Sequence, residues 1–86
     1  MTIKLTKTER EYLVTVVLKK YSSLMNIIEH STIDNGKFSI DIDNVLADEI
    51  RDLCSEQLQI SGFDEKYNLN EEGKMLENLI DIFYKD

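Results

Sequence analysis

The sequence predicts a mainly α fold, a three-helix bundle whose first helix is long and central, with a small β-hairpin between helices 1 and 2. Three observations carry this. Apolar residues recur at helical spacing through residues 7–30, 44–60 and 71–84. Each stretch is preceded by a residue able to cap a helix N-terminus: Thr6, Asp43 or Asn70. Between the first two lies Asn35-Gly36, followed by Phe38, Ile40 and Ile42 alternating with polar residues, the pattern of a tight turn and one half-buried strand.

Thr6 with Glu9 three residues on forms a capping-box pattern, so the first helix is expected to run from about Lys7 to His30. At 100° per residue, its apolar side chains, from Tyr12 to Ile28, sweep an arc of about 240°, against the ~100° stripe of an ordinary surface helix. Such a helix must be covered on two sides or more. It would be about 36 Å long, and the third helix only about 21 Å. The surplus apolar surface is therefore expected to be closed by the hairpin or by a second copy of the chain, with a homodimer favoured.

Asp43 caps a second helix over roughly Asn44–Ile60, and Gly62 stands in its stop position. Its apolar arc holds Leu46, Ala47, Ile50, Leu53, Cys54, Leu58 and Ile60, while Asp48, Glu49, Asp52 and Glu56 make the opposite face strongly acidic. Asn70 caps a third helix, with Glu71 and Glu72 in its first turn where free N–H groups favour negative charge. Gly73 lies at the edge of that helix's apolar arc. Glycine costs about 1 kcal/mol there relative to alanine, so a close backbone approach by a neighbouring helix or by the Phe63–Tyr67 loop is expected to compensate. A strand-like pairing of Tyr67–Leu69 with Phe38–Ile42 is also expected.

The 86 residues make one domain, and a 42% apolar fraction with aromatic residues in register argues for a packed core. A lone Cys54 allows no internal disulfide and no leader-like segment precedes the first helix, so a cytoplasmic location is expected. No apolar run approaches the ~20 residues of a membrane span. Net charge is −7, distributed unevenly: residues 1–20 carry five bases and two acids, and the rest carry five bases and fifteen acids. That balance disfavours nucleic acid as a partner for the bulk of the chain.

No reaction chemistry assembles in the sequence. Asp41 and Asp43 suggest a calcium loop, but Val45 and Leu46 stand where a further oxygen ligand and the turn glycine belong. Zinc needs several Cys or His ligands, and the chain has Cys54 and His30 alone. Cys54 sits on an apolar arc as a small buried thiol would, and His30 ends a helix, where a cation offsets the negative end. No catalytic residue, cofactor or metal is therefore assigned, and the protein is expected not to be an enzyme.

Two resemblances bear on function. Tyr67, Leu69, Gly73 and Leu76 match the Tyr-x-Leu-Thr-x-x-Gly-x-x-Leu pattern that closes the wing of winged-helix regulators, with Asn70 in place of the threonine. It implies a DNA-binding regulator, although the second helix is acidic where such regulators present bases. The whole chain, including "GFDEKYNLNEEG" and "LENLID", also resembles small acidic uncharacterised proteins of Gram-positive bacteria and their phages. The leading expectation is a non-catalytic protein-interaction module, such as a phage or mobile-element modulator, using Asp48, Glu49, Asp52 and Glu56 to meet a basic partner. The alternatives are a divergent winged-helix-like regulator contacting DNA through Lys4, Lys7, Arg10, Lys19 and Lys20, and a structural dimerisation subunit.

Overall fold

The computed structural model describes residues 1–84. Locally encoded caps set most helix starts. Strand β1 (Thr2–Leu5) leads into α1 (Lys7–Tyr12), a π-helical stretch (Leu13–Val17) and α2 (Ser22–Glu29); the hairpin β2 (Thr32–Asp34) and β3 (Lys37–Asp41) follows, then α3 (Asn44–Ser61) and α4 (Glu71–Phe83). Thr6 Oγ1 accepts from the Glu9 N–H at 3.1 Å while the Glu9 carboxylate accepts from the Thr6 N–H at 2.8 Å. Asp43 and Asn70 cap α3 and α4 in the same sense, accepting from Leu46 N–H and Gly73 N–H. Asn35 and Gly36 take positive φ, 52° and 79°, as the two-residue turn demands.

The chain is mainly helical, but it is not a three-helix bundle with a hairpin between helices 1 and 2. The described residues form four α-helices and a three-stranded antiparallel sheet of order β1-β3-β2. The largest correction concerns the long first helix, which is broken. After Val17 the Leu18 N–H reaches back five residues to the Leu13 carbonyl at 2.8 Å, and the chain leaves the helix at Leu18 (φ −105°, ψ 11°) and Tyr21 (φ −123°, ψ 74°). No proline or glycine imposes the break; packing does. Leu13, Val17 and Leu18 before it, and Leu24 and Ile28 after it, are all buried. On a straight rod Leu13, Val17, Leu24 and Ile28 would share a stripe about 60° wide, and Leu18 would stand about 80° outside it. With the bend, all five residues from both halves join one core.

The second correction is at the start. Thr2–Leu5, ahead of the predicted first helix, is an edge strand whose Ile3 and Leu5 point inward while Thr2 and Lys4 stay exposed. Ile3 faces Ile40 across the β1–β3 pair, and Ile33 faces Phe38 across β2–β3. Both sides of β3 are thereby filled. Tyr67–Leu69 does not pair with it, and Leu69 instead forms a single bridge with Phe63.

Between α3 and α4 the chain turns at two touching glycines. A side chain on Gly73 would run into the Gly62 carbonyl oxygen and come within 2.8 Å of Leu69 Cδ2, so the close approach expected at Gly73 is made by the end of α3. Gly62 occupies the C-cap with φ −88°, an ordinary right-handed value, and what it contributes is likewise the missing Cβ. From this corner α4 lies along α3, and Leu76, Leu79 and Phe83 join Ala47, Ile50 and Cys54 in the core. Ile60, expected on the buried arc, is 77% exposed at the α3 terminus.

Candidate partner-binding groove

The acidic face of α3 divides in two. Asp48 turns aside to Arg51, its carboxylate 3.3 Å from the guanidinium, and Arg51 also lies over the Tyr84 ring at 5.3 Å. Glu49, Asp52 and Glu56 are exposed, and among the described residues none has a cationic side chain within 4.0 Å. They share a stripe of α3 with Leu53, Gln57 and Ile60, at spacings of three and four residues that keep one helix face.

That stripe is one wall of a groove whose other wall is the bend. Towards the α2 side, Tyr21, Leu24 and Leu53 make an apolar hollow edged by Glu49 and Asp52. Tyr21 and Leu53 continue into a second hollow with Val16 and Val17 on its floor, where Lys19 and Lys20 on one rim oppose Glu56 and Gln57 on the other. Tyr21 is 44% exposed here. The geometry offers an apolar floor for packing, with carboxylates along one edge and ammonium groups along part of the facing edge. Three of the four acidic residues singled out by sequence are brought to it. The bend residues were not read as a wall, although Lys19-Lys20 followed by Ser22-Ser23 carries a signal: bases suit a helix end and serines a helix start.

The remaining chemistry-bearing residues hold the fold together. Tyr12 Oη donates to Glu72 Oε2 at 2.5 Å, and Ser61 Oγ donates to the same oxygen at 2.9 Å, which ties α1 to both helices of the corner. Burial of the phenol, then its hydrogen bond to the Glu72 carboxylate, raises the Tyr12 pKa above its ordinary value. Cys54 is fully buried, and burial pushes its thiol up to about 12, away from the thiolate that reactive cysteines need. His30 caps α2, its Nδ1 2.6 Å from the Asn26 carbonyl oxygen. No group of three or more His, Cys, Asp or Glu side chains among the described residues is arranged to hold a metal. No described helix is long and apolar enough to cross a membrane. No family model, curated protein or solved structure matches the chain.

Proposed function

We propose that the protein is a non-catalytic interaction module that docks a polypeptide partner in the groove between α3 and the Leu18–Tyr21 bend, with Glu49, Asp52 and Glu56 meeting bases on that partner. One observation supports this above the others: the carboxylates border an apolar floor. Charge alone speeds encounter, whereas affinity comes from desolvated apolar contact beside it. A cytoplasmic modulator of a host protein, of the kind a phage or mobile element carries, fits this reading. Asp48 contributes less, because Arg51 already neutralises it. Affinity capture from the native host tests the proposal: the pair Asp52→Lys with Glu56→Lys should lower partner recovery about tenfold or more, with the circular dichroism spectrum unchanged. Undiminished recovery would refute it.

A second reading, as a DNA-binding regulator, is favoured by topology. Residues 7–29 run helix, four-residue turn, helix, and the β2–β3 hairpin follows directly, an order that suits a helix laid in the major groove with a hairpin beside it. Of the bases considered for DNA, Lys7, Lys19 and Lys20 are exposed. Arg10 is engaged with the Phe38 ring, Ser31 Oγ and the Glu29 carbonyl, and Lys4 lies 3.6 Å from Asp34. Three exposed bases in a chain of net charge −7 make a weak phosphate surface. A mobility shift at low salt that fades as salt rises would favour this reading over the first.

A further inference from the structure

We infer that the occupant of the groove is an amphipathic α-helix of about three turns, with lysine or arginine on the flank that faces α3 and acidic residues on the flank that faces Lys19 and Lys20. The inference rests on the groove being the docking surface and assigns what docks. Length comes first. The α3 wall extends from Glu49 to Ile60, which at 1.5 Å per residue is about 17 Å, the span of a helix of some eleven residues laid alongside it.

Backbone chemistry selects a helix over an extended strand. The α3 wall is made of side chains on a continuous helix, and the sheet strands contribute nothing to either hollow. No strand edge is therefore offered for an incoming strand to extend. An extended segment pressed on Leu24, Leu53 and Val17 would bury its own N–H and C=O groups unpaired, whereas a helix arrives with them satisfied.

Charge then selects the flanks. Glu49, Asp52 and Glu56 follow one another at three and four residues, so a helix lying beside α3 can present bases at matching spacing along the same length. Lys19 and Lys20 oppose Glu56 across the second hollow, which makes the rims of opposite sign there and disfavours a helix that is basic all round. A helix from a second copy of this chain fits poorly. The exposed residues of α3 and α4 include Asp52, Glu56, Glu71, Glu77 and Asp81, which would set acid against acid.

Three synthetic helical peptides of about 14 residues test this, each with the same leucine stripe. The first carries lysines on one flank and glutamates on the other, the second lysines on both, and the third glutamates on both. Fluorescence anisotropy with the full chain should rank them in that order, with about tenfold or more between first and third. Asp52→Lys with Glu56→Lys should abolish the gap, and amide shifts should centre on Tyr21 and Leu53. Tighter binding of the all-lysine peptide would reduce the effect to attraction by an acidic protein and overturn the inference. So would equal binding, no binding, shifts centred elsewhere, or light scattering that shows a dimer dispersed by Leu53→Asp. If no peptide binds yet host-partner capture still falls with the double reversal, the docking reading stands and only the helical occupant is lost. If capture is also indifferent, both fall.

Discussion

Two turns join helices in this molecule, the Gly62–Asn70 corner between α3 and α4 and the Leu18–Tyr21 bend before α2, and they are held by different means. The corner is punctuated residue by residue. Gly62 and Gly73 let backbones touch, Asn70 caps α4 and donates from Nδ2 to the Ser61 carbonyl, and Asp64 Oδ1 accepts from the N–H groups of Lys66 and Asn68. The bend has no such residues. Its turn holds Leu18, Lys19, Lys20 and Tyr21, all tolerated in helices, and it exists because the leucines, valine and isoleucine on either side share one core. A corner written locally is specific to its place, whereas a bend written by packing depends on the whole fold, and the bend is what carries one wall of the groove.

The largest test of this contrast is Gly73→Ala. On helix propensity alone it should stabilise by about 1 kcal/mol, but the added methyl meets the Gly62 carbonyl, so a net loss of about 3 kcal/mol is expected in urea denaturation. A gain would show that the glycine contact does not hold the corner. Next is Leu18→Ala, which should cost about 2.5 kcal/mol as a fully buried leucine, while Lys19→Ala beside it should change stability by less than about 0.5 kcal/mol. If the lysine change cost as much as the leucine change, local turn chemistry would be holding the bend instead of the core.

The smallest effect concerns the tie between α1 and the corner. Tyr12→Phe removes the hydrogen bond from α1 to Glu72 and should cost about 1 kcal/mol near neutral pH. The folded state raises the phenol's pKa above its unfolded value, so folding favours the neutral form. The corresponding stability is fully present below about pH 10, the ordinary tyrosine value, and is lost as pH climbs beyond it. Denaturation at pH 8 and pH 11 should therefore show a steeper alkaline decline in the unmodified chain than in the variant. Equal slopes would mean that another group governs the alkaline limit.

These contrasts explain what was legible in the sequence. Thr6, Asp43, Asn70 and Asn35-Gly36 could be read because each acts on a backbone group within a few residues of itself. The break at Leu18 could not be read from a single angular count. Two short helices separated by a bend, with a π stretch before it, smear into one wide apolar arc when projected at a constant 100° per residue. Strand β1 was hidden for a related reason: its four residues alternate too briefly to stand out, and their partner β3 is more than thirty positions away. The acidic half of the groove was visible as the polar face of one helix. Its apolar half was not, because Tyr21 and Leu24 reach Leu53 only once the chain has bent.

The β1–β3 ladder has a consequence for how the molecule folds. Ile3 and Leu5 are sheltered by a strand more than thirty positions further along the chain. Until the two meet, β1 is an unpaired ribbon with two greasy side chains, and closure must bring together segments separated by an entire helical pair, a slow search compared with the neighbour-to-neighbour docking of α3 and α4. The α3–α4 pair therefore has the kinetic advantage in refolding, and β1 is among the last elements to find its seat.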